Sequence, residues 1–395
     1  MDARQNPYSP GAGRPPAALI GRDIERTAWQ IALERVESGR SVQPVALYGL
    51  RGVGKTVLLT AMAKEAESRD WLVAQIEADT GKDLRVALGE ALYGPLSDLA
   101  RPSAGGRILR ALKTALSFKA SYDTSGTWSF GLDLDNVAGG GADSGVLETD
   151  LDKLVKDLSA AAAEEGVGLA VLVDEAQDLS TAELLALCAI AHKASQQSWP
   201  FLLCLAGLPS LPKDVAEAKS YAERLFAFYP ITALPSFIAG EVLTVPAGQV
   251  DIAWENEAVA HIVDETKGYP YFLQQYGQDT WNMAMGTDVV TVEDARVGAA
   301  LGRNALDNGF FRARWDRATR SEQAYLRAMA VDGDTGSSSG EVARRLGRKP
   351  ASLGPTRASL ISKGLLYAPE HGRIAFTVPG MADFISRQPD PDAAT

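Results

Sequence analysis

The stretch Pro44-Val-Ala-Leu-Tyr-Gly-Leu-Arg-Gly-Val-Gly-Lys-Thr56 decides the fold. It holds the pattern G-x-x-x-x-G-K-T at Gly49, Gly54, Lys55 and Thr56, with a further glycine at Gly52. Glycines let backbone N–H groups turn inward and approach a group of phosphate oxygens without a Cβ clash. Lys55 brings a point charge to the outer phosphates, and the Thr56 hydroxyl can ligate Mg²⁺. The helix that follows adds the positive end of its dipole. Val45–Tyr48 reads as a buried strand. Thr56–Glu67 reads as a helix with Leu58, Leu59, Met62 and Ala66 near one face. A chance glycine-rich turn would lack this strand, loop and helix setting.

A second motif lies about 120 residues on, Leu169-Ala-Val-Leu-Val-Asp174-Glu175-Ala-Gln-Asp178. An apolar run of this kind is a central strand, and its two carboxylates emerge at the carboxyl end, where ligands sit in open α/β sheets. Asp174 is expected to hold Mg²⁺ through water and Glu175 to polarise the attacking water of a hydrolysis. Strands often end in acids, so the motif is specific only in company with the phosphate loop.

The chain of 395 residues is long enough for two or three domains, and 46% hydrophobic content fills real cores. Cys188 and Cys204 sit in apolar runs and offer neither a metal nor a disulfide framework. The start, Met1-Asp-Ala-Arg-Gln-Asn-Pro7, carries no signal-peptide pattern, and no apolar run reaches the ~18 residues of a membrane span, so a cytoplasmic protein is expected. The net charge of −11 gives no bulk footprint for nucleic acid, but it is uneven. Residues 312–373 carry 12 Lys+Arg against 6 Asp+Glu, a net of +6, and the remainder carries −17. His192, His261 and His371 are scattered and suggest no shared site.

Taken in order, residues 1–17 are rich in Pro, Gly and polar residues and read as a disordered tail. Leu19-Ile-Gly-Arg-Asp-Ile-Glu-Arg26 opens an amphipathic helix reaching about Glu37. A strand at 71–78 and helices near 82–98 and 106–116 precede an insert at about 117–145, where alternation around Asp123-Thr-Ser-Gly126 argues for a β-hairpin. That hairpin is a decorated surface loop or a contact for a partner or DNA. Helices near 148–165 and 182–195 flank the acidic strand. Strands follow at 200–207 and 228–234, and a helix between them, 216–226, carries Arg224. Arg224 could reach a phosphate on a neighbouring subunit or form a surface ion pair.

From 236 to about 304 helices replace strands, around Gly268-Tyr-Pro-Tyr-Phe-Leu-Gln-Gln275. Gly268 ends one helix and Pro270 suits the first turn of the next. Residues 305–388 then read as helices at 320–331, 340–347 and 352–363 and two short strands, Leu365–Tyr367 and Ile374–Val378, which is a winged-helix pattern. Thr319 opens it with a capping-box signal, and 389–395 read as a second disordered tail. Leu353, Leu360 and Ile361 face inward, leaving Ser352, Thr356, Arg357 and Ser359 outward. Arg348, Lys349 and Arg373 add phosphate contacts beside them. DNA binding competes here with protein contact.

Together these segments resemble AAA+/STAND-type P-loop ATPases, and within that class the origin-recognition-like and archaeal-type ATPases, over about 18–388. The fold implied is α/β: an 18–235 P-loop NTPase parallel sheet, a 236–304 helical lid and a 305–388 C-terminal winged-helix domain. The resemblance implies that Ile20, Gly21 and Arg22 line the adenine side. Gly49, Gly52, Val53, Gly54, Lys55, Thr56 and Val57 would hold ATP, with Mg²⁺ on Thr56 and Asp174. Glu175, Lys55 and Arg224 would serve catalysis, and Pro270 would bring the lid to the nucleotide. Two departures stand out. Tyr271 occupies the place of an arginine after the lid Gly-x-Pro, and Ala206-Gly207-Leu208 offers no polar side chain at the tip of the fourth strand. A slow ATP switch that binds DNA is therefore expected. The alternative is an ATP-driven signalling or assembly scaffold, self-associating as a homo-oligomer, whose winged helix contacts protein.

Overall fold

The structure is a computed structural model that describes residues 1–100, 105–122, 134, 137–139, 141–219 and 221–389. Two compact units emerge. One comprises residues 22–48 and 55–230, the other residues 1–21, 49–54 and 231–395.

The first unit is a three-layer α/β body. Its helices are α1 (Asp23–Glu37), α2 (Lys55–Glu67), α3 (Leu84–Leu99), α4 (Gly106–Tyr122), α5 (Leu147–Glu164), α6 (Thr181–Gln196), α7 (Leu211–Ala218) and the short α8 (Ala222–Leu225). Its strands are β1 (Val45–Tyr48), β2 (Leu72–Glu77), β3 (Leu169–Asp174), β4 (Phe201–Gly207) and β5 (Ala227–Pro230). All pair in parallel in the order β2-β3-β4-β1-β5. Strands β3 and β4 are buried along their whole length, as near-continuous apolar runs covered on both faces must be. Cys188 and Cys204 are buried and free, and burial pushes the Cys188 thiol up to about 11. Trp29 on α1 is buried and donates its indole N–H to Met62 O at 2.9 Å, tying α1 to α2.

Two expectations are corrected here. The first hairpin strand of the insert is helix: α4 continues to Tyr122, with Phe118 buried on its inner face. The buried face of Ile108, Ala111, Leu112 and Ala115 continues at Phe118, three residues on, so helical spacing extends into the stretch expected as a strand. The remainder of the expected hairpin, 123–133, lies outside the described residues, as do 390–395 of the expected C-terminal tail. The helix expected at 216–226 is two shorter ones. Pro212 starts α7 early, in the first turn that proline favours.

The second unit contains α9 (Ser236–Gly248), β6 (Ala253–Trp254), α10 (Asn256–Thr266), α11 (Pro270–Met283), β7 (Val289–Val290) and α12 (Val292–Ala305). A π-helical turn, Leu306–Phe311, leads to α13 (Arg312–Trp315). Then come α14 (Arg320–Ala330), β8 (Ser337–Ser338), α15 (Ser339–Arg345), a 3₁₀ turn Pro350–Leu353, α16 (Gly354–Ser362), β9 (Leu366–Tyr367), β10 (Arg373–Phe376) and α17 (Met381–Ser386). The last part is a winged helix: α14, α15 and α16, an antiparallel sheet in the order β8-β10-β9, and the closing helix α17. The helical lid is not free of strands, because β6 and β7 pair in parallel. Two residues each are too short to show a period in sequence.

The 1–17 tail is also corrected. Tyr8 is 2% exposed, donates its hydroxyl to Leu243 O at 2.5 Å, and meets Trp254 and Trp281 edge-on. The N-terminal ammonium donates to Ala284 O at 2.7 Å. One aromatic side chain with a partner for its hydroxyl anchors a segment whose composition otherwise suggests disorder.

Candidate functional site

Strand β1 ends at Tyr48, and the chain crosses the glycine loop into α2 at Lys55. Gly52 and Gly54 adopt φ of +87° and +95°, which side-chain-bearing residues rarely reach, so the loop can turn its N–H groups inward only with glycine here. Lys55 is buried although charged. Its neighbour Thr56 donates its hydroxyl to Asp174 Oδ2 at 2.6 Å, across from the end of β3. Asp174 Oδ1 accepts the Glu175 N–H at 2.9 Å. Burial raises the Asp174 pKa, and the bonds from Thr56 and Glu175 oppose that rise. Asp174 and Thr56 present hard oxygen atoms, the donor type that a divalent cation takes.

Glu175 stands at φ 48°, ψ 39°, a left-handed conformation that costs an ordinary residue about 1–2 kcal/mol. Its carboxylate is held: Gln177 Nε2 donates to Glu175 Oε2 at 2.6 Å. The same side chain accepts the Leu208 N–H on Oε1 at 2.9 Å, just beyond β4. Gln177, from the loop after β3, thus sets a polar side chain beside the end of β4. It stands two residues beyond Glu175, inside the quoted motif, where the sequence reading passed over it. Val57 is half-buried on α2, Arg22 is buried at the start of α1 with burial lowering its pKa, and Arg224 is exposed on α8.

In the second unit the loop residues 49–54 are tied into the lid and the winged helix. A Cβ on Gly49 would lie 2.0 Å from Ile231 O. Val53 is buried. Tyr271 N–H donates to Gly52 O at 3.2 Å, and the Tyr269 hydroxyl donates to Arg51 O. Arg51 N–H donates to Thr377 O at 3.0 Å, next to β10, and Thr377 in turn donates its hydroxyl to Gly364 O at 2.8 Å, beyond α16. Lys267 and Gly268, both left-handed, end α10, and Pro270 occupies the first turn of α11. Ile20 and Gly21 are half-buried, Gly21 against Leu234 and Ile238.

Tyr271 stacks on Phe310 with centroids 4.8 Å apart, and the Arg314 guanidinium lies 3.9 Å over the other ring partner, Phe310 itself. Burial, then the charge of nearby Arg51, lowers the Arg314 pKa. An arginine thus stands beside the loop and Tyr271 although none follows the lid proline. It comes from α13, about 40 residues later, and no local sequence signal could have found it.

The residues expected to meet DNA divide. Arg348, Lys349 and Arg373 are exposed, the last donating to Thr335 O at 3.3 Å. Thr356 and Arg357 are only half-exposed. Ser359, expected outward, turns in and donates to Glu322 Oε1 at 2.6 Å. The exposed positions of α16 are Gly354, Pro355, Ala358 and Ser362. Among the described residues no helix is long and apolar enough to cross a membrane.

Two family profiles match the chain: one described as an AAA ATPase domain over residues 18–204, the other as a domain of unknown function (DUF8462) over residues 308–385. No curated protein matches in sequence. Among solved structures, the chain is similar to the Walker-type ATPase PABY2304 of Pyrococcus abyssi, with TM-score 0.56 and 17% identity, covering 93% of this chain and 96% of that one. Cdc6p from Pyrobaculum aerophilum gives TM-score 0.47 at 13% identity, covering 98% and 97%. The Aeropyrum pernix Orc1 protein, solved in complex with DNA, gives 0.45 at 14%, covering 96% of each.

Proposed function

We propose that this chain, whose residues 18–204 match a profile described as an AAA ATPase domain, is an ATP-binding, slowly hydrolysing switch that couples nucleotide state to DNA binding by its winged helix. The observation that carries the coupling is the hydrogen bonding of the phosphate loop: Arg51 N–H to Thr377 O in the winged helix, and the lid's Tyr271 N–H to Gly52 O. A phosphate bound in this loop competes with Thr377 O for the Arg51 N–H, and reordering the loop shifts Gly52 O from Tyr271, so nucleotide and winged helix draw on one backbone donor.

In the proposed reaction, water oxygen bonds to the γ-phosphorus as the bond from that phosphorus to the β–γ bridging oxygen breaks. Glu175 receives the proton, and ADP and phosphate leave. Glycine-loop N–H groups and Lys55 hold the phosphates. Thr56 and Asp174 are hard oxygen donors and fit Mg²⁺, which when bound neutralises charge on the phosphates. Ile20, Gly21 and Arg22 take the adenine side, and Pro270 brings the lid to it. Arg224, exposed on α8, is the group available to a phosphate on a neighbouring copy.

For DNA, Arg348, Lys349 and Arg373 supply phosphate contacts. One observation favours the second reading, an ATP-driven assembly scaffold: the exposed positions of α16 carry no charge. Fluorescence anisotropy with labelled duplex decides between them, run with ATP, with ADP and without nucleotide across a salt series. The switch reading expects affinity that differs between nucleotide states and falls steeply with salt. No binding in any state at low salt would leave the scaffold.

A further inference from the structure

The loop after β3 carries more than the two acids. Glu175 sits in a left-handed backbone conformation, and what fixes its carboxylate is the Gln177 amide, 2.6 Å from Oε2. That amide is anchored at its other end, where Oε1 accepts the Leu208 N–H at 2.9 Å. A Cβ built on Gly207 would lie 3.1 Å from Gln177 Oε1, so the end of β4 is shaped to let the amide in. Both bonds lie within the α/β unit.

We propose that Gln177 is the positioning residue for hydrolysis, an amide strut that sets where the Glu175 carboxylate points by bracing it on the backbone at the end of β4. The proposal rests on the reading of Glu175 as the base. Its physical content is orientation: a carboxylate on a flexible side chain is effective only when one oxygen is held toward the water. Gln177 can do this because its two ends differ, one donating to the carboxylate and the other accepting from the main chain. Both ends of its amide are taken up by protein groups, so it acts through Glu175 and bears on turnover rather than on binding. It also makes the end of β4 a lever. A displacement of Leu208 moves the strut and with it the base.

The test compares Gln177→Glu and Gln177→Met in the full chain, with Glu175→Gln and the double variants beside them. Gln177→Glu keeps an acceptor for Leu208 N–H but loses the donor. Gln177→Met keeps the length and loses both. Binding is read by titration with a fluorescent ATP analogue, turnover by phosphate release. Both single variants should keep the nucleotide Kd within about twofold and lose about tenfold or more in kcat. Combined with Glu175→Gln, neither should cost anything further, because both act through one carboxylate. Wild-type kcat in Gln177→Glu and Gln177→Met, with Glu175→Gln inactive, would overturn the strut alone. Equal loss of kcat with and without Glu175 would make Gln177 merely structural, and also overturn it. Wild-type turnover by Glu175→Gln would remove the base assignment and the proposal with it.

Discussion

Lys55 is buried, and the hydroxyl beside it is engaged by Asp174 at 2.6 Å. A buried ammonium is costly unless an anion answers it, and a phosphate answers it better than a single carboxylate. Lys55→Ala should therefore weaken ATP binding by about 2–3 kcal/mol, roughly thirty- to 150-fold in Kd, as read by fluorescent-nucleotide titration. Glu175→Gln should leave that Kd nearly unchanged and lower phosphate release by about a hundredfold or more. Full activity in that variant would show that another group takes the proton. At this scale the sequence is a good guide where chemistry demands contiguous residues. Gly49 to Thr56 and Asp174-Glu175 were legible because spacing alone puts them at the ends of neighbouring elements. Gln177 and Arg314 were not. One acts by reaching back from a loop to Leu208, the other by meeting Tyr271 and Phe310 from a distant helix.

Between elements, the acid Glu322 ties two helices of the winged helix together. Glu322 on α14 accepts from Ser359 Oγ and Lys363 Nζ, both at 2.6 Å, and from Thr319 N–H at 2.7 Å. It joins the first and third helices of the winged helix. Burial raises its pKa, but Lys363, Ser359 and Thr319 outweigh that and bring it down to about 2 from an ordinary 4.5. The folded state thus binds the proton less readily than the unfolded one. Its stabilisation is complete above about pH 4.5 and is lost as pH falls toward 2. Hydrogen exchange at α14 and α16 should quicken over that window in the wild type. Glu322→Gln should cost these helices about 1–3 kcal/mol at neutral pH and flatten the acid dependence. An unchanged acid dependence in the variant would show that other groups set it. The capping-box spacing of Thr319 and Glu322 was readable, since it is local. The inward turn of Ser359 was not, because the choice between its two faces is made by an acid on another helix.

At the scale of the chain, charge and coupling matter more than any one contact. The −11 total conceals a C-terminal segment of +6, the part of the chain to which the proposed DNA contacts belong. In the proposed switch, coupling between nucleotide and DNA must also be reciprocal. Whatever factor ATP applies to DNA affinity, duplex DNA must apply to ATP affinity. Nucleotide titrations with and without saturating duplex should return the factor found by anisotropy, and Lys55→Ala should show the same dependence only at roughly thirty- to 150-fold higher nucleotide. Unequal factors would mean that the two ligands do not share one switch. The sequence by itself determined the P-loop α/β body, the helical lid and the winged helix. Each rests on local periodicity and on glycine, proline and acidic residues whose roles are set within a few positions of the chain. Only the tertiary structure decided that Tyr8 anchors the N-terminal segment, that Arg51 bonds to Thr377, and that Gln177 braces Glu175. Those bonds join groups from separate turns or distant stretches, and their formation depends on packing that no local pattern encodes.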